Sequence, residues 1–289
     1  MQDSYALDKA RVRASFDRAA RSYDAAAILQ AEVRARMQSR LDIIKVTPGT
    51  ILDAGAGTGH AARDLAKRYA SSQVVKLDLA LGMLKQSAMT MPWWRRFIHQ
   101  PQNAVCADIE QLPLASSSID MIWSSLAIQW CNDLDAAFSG MSRVLRPEGL
   151  LMFSTFGPDT LKELRAATAA DPDHVHVSRF IDMHDIGDAL VRNGFTAPVL
   201  DVEHFVLTYD DVLGVMRDLK AIGAHNAAQG RRRGLEGKGF LRQITERYEQ
   251  FRDNGKLPAT FEVIYGHAWK AQGADWPDGV SPIRIHRRS

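Results

Sequence analysis

Two cysteines in 289 residues are too few to staple this chain. Cys106 and Cys131 fall in segments that read as core strand or strand end, so free thiols in a reducing compartment are expected. No stretch approaches the roughly 18 consecutive apolar residues of a membrane span. The first twenty residues, MQDSYALDKARVRASFDRAA, are charged throughout and lack the apolar centre of a secretory signal, which points to the cytoplasm. Charge of one sign is also missing. With 36 Lys and Arg against 34 Asp and Glu, the net +2 is too balanced for a nucleic-acid-binding surface. There is no internal repeat, no nucleophile–His–acid arrangement and no Cys/His cluster at metal-ligand spacing, so no metal is expected. With 46% hydrophobic and 24% charged residues, the chain has the composition of a globular protein with one large core, or one domain with a sizeable insertion.

Apolar strand-like runs alternate with helical patterns over the first two thirds. TILDAG (50–55) precedes the helical HAARDLAKRYA, and QVVKLDLA (73–80) precedes LGMLKQSAM. NAVCADI (103–109), SIDMIWSSLAI (118–128), the helical LDAAFSGMSRVL (134–145) and GLLMFSTF (149–156) follow. This rhythm predicts an open, mainly parallel sheet with helices on both faces. Residues 8–44 have helical spacing and no strand signal. FIDMHDIGDALVRNGF reads as a helix closed by Gly194, followed by strand-like VEHFVLTY (202–209). Residues 210–253 look helical, interrupted by the basic, glycine-rich QGRRRGLEGKGF (229–240). TFEVIYGHAW (260–269) reads as a last strand, and 271–289 as a frayed tail.

Ligands of such sheets bind beyond the carboxyl ends of the strands, where Asp53, Asp78 and Asp108 fall. The turn after the first strand carries Gly55, Gly57 and Gly59 at alternate positions. The dinucleotide fingerprint G-x-G-x-x-G would need its third glycine at His60, so a nicotinamide ligand is disfavoured. Asp78, 19 residues after Gly59, is placed to accept both hydroxyls of a ribose. Asp108 can accept from an exocyclic adenine amine, and the Ile109 N–H can donate to the ring. Three strand-end acids suit a cationic ligand better than a pyrophosphate. A lone Asp at such a position is usually a cap or turn former; three on successive strands beside a glycine turn call for a ligand.

In order along the chain, LDAGAGTG, LDLALGML, ADIEQLPL, DMIWSSLAIQW and RVLRPEGLLMFSTF resemble the successive motifs of the class I S-adenosylmethionine-dependent methyltransferases. That resemblance covers roughly residues 50–156. It implies a Rossmann-like seven-stranded, mainly parallel α/β sheet. It also implies S-adenosylmethionine as co-substrate, with Asp53 and Gly55 at its methionine end, Asp78 at the ribose, Asp108 and Ile109 at the adenine, Ser124 near the reacting end, and Gly57 and Leu79 among the residues that bind it.

The flanks resemble one branch, the malonyl-acyl-carrier-protein O-methyltransferases of biotin synthesis. FDRAARSYDAAAILQ (16–30) looks like that branch's helical lid, with Tyr23 near the methionine end, and IQWCNDL, STFGPDTLKELR, RFIDMHDIGDAL, DLKAIGAHN and LPATFEVIYGHAW also match. The implied organisation is a lid (1–45), an α/β core (46–209), a helical insertion capping the substrate (210–256), a last core strand (257–270) and a flexible tail (271–289). The implied reaction methylates the free carboxylate of a malonyl thioester. Since a carboxylate with a pKa near 4 is ionised at neutral pH, no general base is needed. Arg179 is one candidate partner for that carboxylate. Arg231, Arg232, Arg233 and Lys238 are candidates to meet the acidic helix of a carrier protein, with a solvated loop as the plain alternative. MPWWRR (91–96), with Trp93 and Trp94, reads as packing at a helix end and not as a membrane-surface segment. The alternatives are a C-methyltransferase of a quinone precursor, with His60 as base, another small-molecule carboxyl methyltransferase, and a non-catalytic binding module.

Overall fold

The computed structural model describes residues 5–89, 103–169, 179–222 and 238–272. Three helices come first: α1 (Lys9–Ala19), α2 (Tyr23–Ala26) and α3 (Ile28–Arg40). Asp8 caps α1 by accepting from the Arg11 N–H. Strands and helices then alternate as β1 (Thr50–Ala54), α4 (His60–Arg68), β2 (Gln73–Asp78), α5 (Leu81–Met89), β3 (Ala104–Cys106), β4 (Ile119–Ser125), α6 (Leu134–Val144) and β5 (Leu145–Phe156). After these come α7 (Lys162–Thr168), α8 (Met183–Arg192), β6 (Phe195–Tyr209), α9 (Val212–Ala221), α10 (Lys238–Tyr248) and β7 (Leu257–Lys270).

The seven strands form one sheet in the order β3-β2-β1-β4-β5-β7-β6, in which β7 runs antiparallel to both β5 and β6 and the other neighbours pair in parallel. The central strands are apolar at consecutive positions because both sheet faces are covered. On one face Ile51, Met121, Trp123 and Met152 pack under Val33 and Met37 of α3, Leu65 of α4 and Val215 of α9. On the other, Leu52, Ile122, Leu151 and Ile264 pack against Phe138 and Met141 of α6 and Leu190 of α8. The period of two along each strand divides one continuous sheet between two cores.

The mainly parallel sheet with helices on both faces is as expected, and so is the helical N-terminal segment. Strands β6 and β7 are paired from Phe195–Lys270 to Tyr209–Leu257, so residues 210–256 are inserted within an antiparallel pair. The first half of β6 was not legible. Pro198 and a register shift between Thr196 and Val199, with Ala197 at φ +48°, break the alternation at this sheet edge. Among the described residues, no helix is long and apolar enough to cross a membrane, and no three His, Cys, Asp or Glu are grouped to hold a metal ion. Both cysteines are free; Cys106 is exposed at the end of β3.

Candidate active site

The chain turns sharply where β1 ends. Gly55 takes φ +85°, and a Cβ there would stand 2.3 Å from Ala127 Cβ, so the position admits only glycine without rearrangement. The Gly55 and Ala56 N–H groups both donate to Leu77 O (2.8 and 2.9 Å), stitching the turn to the end of β2. Gly57 has φ +52° and open space where a Cβ would be. Its N–H donates to Asp78 Oδ2, and the Ala80 N–H donates to Asp78 Oδ1, each at 2.8 Å. Asp78 is therefore fixed between two loops before any ligand arrives.

Burial pushes the Asp78 carboxyl up to about 6, even against those two N–H donors. Asp53, 1% exposed in β1, is pushed up to about 7, first by burial and then by the Asp78 charge. The Ala62 N–H at the start of α4 supports it, but Oδ2 is buried with no hydrogen-bond partner. Two carboxyls that ionise near neutrality suit an incoming cation. Asp108 lies two residues beyond β3, not at its end, where it caps a 3₁₀ turn (Ile109–Gln111) by accepting from the Glu110 N–H at 3.1 Å. As the first residue of that turn, Ile109 presents an N–H that has no carbonyl partner within it.

The N-terminal helices close over these residues at both ends. At the Asp108 end, Lys9 Nζ lies 3.0 Å from Asp108 Oδ2 and also pairs with Glu110. Nearby, the Asn132 amide brackets Leu7, accepting from its N–H (2.6 Å) and donating to its carbonyl (3.0 Å). Phe16 stands edge-on to Trp130 at 5.2 Å. At the Asp53 end, Asp24 accepts from Thr58 Oγ1 (2.5 Å) and lies 3.2 Å from His60 Nε2. Between them, Asp17 accepts from the Gly82 N–H at 2.6 Å.

Two connected cavities lie under this cover. One, of about 790 Å³ with its open mouth, is lined by Asp78, Leu79, Asp108 and Ile109 together with Lys9 and Trp130. The other, of about 770 Å³, is lined by Asp53, Thr58, His60 and Arg34. Tyr23, Gln30, Gly55, Gly57 and Ser125 line both. The structure thus brings together Tyr23, Asp53, Gly55, Gly57, Asp78, Leu79, Asp108 and Ile109. Ser124 is corrected: it is fully buried with no partner for its hydroxyl, and Ser125 faces the cavities, because alternate strand residues point to opposite sheet faces. Arg179 is exposed and lines neither cavity. Arg231, Arg232, Arg233 and the Lys238 side chain lie outside the described residues, as do Trp93 and Trp94. Lys9, Gln30 and Arg34 went unnoticed in the sequence, since a single polar residue on a helix carries no motif.

A family described as a methyltransferase domain matches residues 52–153. Among solved structures, the YcgJ protein of Bacillus subtilis is 16% identical with a TM-score of 0.58, covering 82% of this chain and 98% of its own. A putative methyltransferase from Bacillus halodurans C-125 is 18% identical with a TM-score of 0.58, covering 83% and 99%. These two share the fold. Sequence relatives are much nearer. A malonyl-[acyl-carrier protein] O-methyltransferase from Methylovorus sp. (strain MP688) is 67% identical over 99% of this chain and 98% of its own length. One of the same name from Gallionella capsiferriformans (strain ES-2) is 54% identical over 98% of each chain. A third, from Laribacter hongkongensis (strain HLHK9), is 57% identical over 93% of this chain and 92% of its own. With a glycine turn, strand-end acids and a helical cover in the order its motifs announce, and near-complete alignment to these relatives, the chain belongs to the malonyl-[acyl-carrier protein] O-methyltransferase family.

Proposed function

We propose that the protein transfers a methyl group from S-adenosylmethionine to the free carboxylate of malonyl-acyl-carrier protein, giving the methyl ester that primes pimeloyl formation in biotin synthesis. The observation that carries this assignment is the 67% identity, over nearly the full length, to a relative of that name. The cavity residues fit the donor. Asp78 would hold the ribose, and Asp108 with the Ile109 N–H the adenine. The unpartnered Oδ2 of Asp53 and the open space at Gly57 receive the methionine end, beside Tyr23. When bound, S-adenosylmethionine supplies an electrophilic methyl group on a positively charged sulfur.

The chain's own contribution is binding, orientation and exclusion of water. An ionised carboxylate needs no proton removed before it reacts, and no side chain is assigned as general base. His60, the candidate base of a quinone C-methyltransferase, lines the Asp53 cavity and is held by Asp24, which favours a part in closing the lid. Arg231, Arg232, Arg233 and Lys238 are proposed to meet the acidic carrier, and a cytoplasmic location is proposed with them. Incubation with labelled donor and malonyl-carrier, a quinol or no acceptor tests the assignment. Base-labile label on the malonyl group supports it, and label on the quinol or on nothing refutes it.

A further inference from the structure

Gln30, near the start of α3, is common to all three large cavities described for this chain. Its Oε1 is buried without a partner. As an acceptor that oxygen cannot meet a carboxylate, but a half-turn of the amide brings the two N–H donors to the same place, where they call for an acceptor on the ligand. The third cavity, of about 840 Å³, lies between Leu29 of α3, Leu207 and Tyr209 at the end of β6, and Leu219 of α9. It meets the Asp108 cavity at Gln30 and Ile222. Its rim is apolar, with Ile28 70% and Val206 56% exposed. If the donor fills the first two cavities, its sulfur lies where they join, at Tyr23, Gln30 and Ser125, and the third is left for the acceptor.

We propose that the Gln30 amide, with the Tyr23 and Ser125 hydroxyls beside it, holds the acceptor carboxylate at this junction, while the thioester arm leaves through the third cavity. The proposal rests on the carboxyl-methylation assignment above and names the group that Arg179 does not provide. Charge argues for neutral donors. The carboxylate and the sulfonium lose their opposite charges as the methyl moves. A cation paired to the carboxylate would therefore stabilise the ground state more than the transition state. The lysine, arginine and histidine side chains at the first two cavities are engaged elsewhere: Lys9 by Asp108 and Glu110, Arg34 by Asp64 at 3.2 Å, and His60 by Asp24. Neutral N–H and O–H groups orient the nucleophile at a smaller cost to its reactivity.

The test compares wild type, Gln30→Met and Gln30→Glu on malonyl-acyl-carrier protein, with donor affinity measured by calorimetry. Gln30→Met keeps the shape and removes the donors, so kcat/KM should fall roughly 10- to 150-fold, the worth of a hydrogen bond to a charged group. Donor affinity should stay within about twofold, which also reports that the variant is folded. In Gln30→Glu an ionised side chain repels the carboxylate and a protonated one can donate, so its activity relative to wild type should rise as pH falls from about 8 to 5.5. A purely structural glutamine gives no such profile. Wild-type kcat/KM in Gln30→Met, or a loss confined to donor binding, overturns the proposal. Wild type that forms no methyl ester overturns the carboxyl-methylation assignment itself, so the two failures are told apart.

Discussion

Asp53→Asn should make the ligand-free protein more stable and its donor binding weaker. Asp53 ionises at about 7 in the folded protein and at the ordinary 3.8 in the unfolded chain. Between about pH 4 and 7 the folded state holds a proton that the unfolded state has released. Stability therefore falls as pH rises through this window, the reverse of the usual behaviour of a paired carboxylate. Three pH units at 1.36 kcal/mol each give about 4 kcal/mol of destabilisation once the group is ionised. Asparagine keeps an acceptor for the Ala62 N–H and has no charge to bury. Its NH₂ has no better partner than Oδ2 had, which offsets about 1–3 kcal/mol of the gain. Denaturant midpoints should show the variant more stable by about 1–3 kcal/mol at pH 8, and less stable by about 1–3 kcal/mol near pH 4, where the buried charge is gone and only the unpartnered NH₂ remains. Calorimetry at pH 8 should show donor affinity lowered roughly 10- to 150-fold, because a charged acceptor worth about 1.5–3 kcal/mol is gone. In wild type, donor binding should strengthen from about pH 5 to 8 as Asp78 and Asp53 ionise. A variant less stable than wild type at pH 8 without donor would refute the account of the buried charge. Unchanged donor affinity would refute the placement of the methionine end.

Three further outcomes are expected. Asp78→Ala removes the acceptor of both the Gly57 and Ala80 N–H groups as well as a ribose ligand, so donor affinity should fall by at least about 1.5–3 kcal/mol, with Asp78→Asn intermediate because the amide retains one acceptor; equal affinity in a folded Asp78→Ala protein would rule the assignment out. Hydrogen exchange of residues 8–30 should slow when donor or its demethylated product is added, and Asp24→Ala, which releases Thr58 and His60, should speed it in the ligand-free protein; identical exchange in every state would show that these helices are not a lid. Charge reversal of Arg231, Arg232 and Arg233 to Glu should raise KM for malonyl-acyl-carrier protein, more so at low salt, and leave a small malonyl thioester unaffected; equal losses on both substrates would place the cluster in support of the fold or the pocket.

What the sequence revealed of the site was local in the chain. The glycine turn, Asp53, Asp78 and Asp108 lie within or just beyond strands whose apolar runs set their own boundaries, and the parallel order carries those ends to one edge. Ser124 was misplaced because alternation gives the period of a strand and not its phase. Which serine faces the cavities depends on which sheet face lies under α3, a contact across some ninety residues of sequence. Lys9 meets Asp108 at a separation of 99 residues, and nothing in KARVRASFDRA distinguishes that lysine from a solvated one. Gln30 was equally silent, since its interest lies in what it does not bond.

The acids explain why a near-neutral chain suits a charged reaction. Keeping Asp53 buried weakens the free protein, so the residue works against folding and must be accounted for by what it binds. Donor and demethylated product differ by one positive charge on sulfur. A low-polarity site holding ionised Asp53 and Asp78 favours the charged donor, and that part of its attraction disappears once the methyl has moved. The same loss of charge on the acceptor side turns a carboxylate into a neutral ester, which no longer needs the donors at the cavity junction. Both products are then held less firmly than the substrates from which they form. If the N-terminal helices, held by a few hydrogen bonds and ion pairs at their two ends, act as the proposed lid, they open on a site whose electrostatic hold has already relaxed.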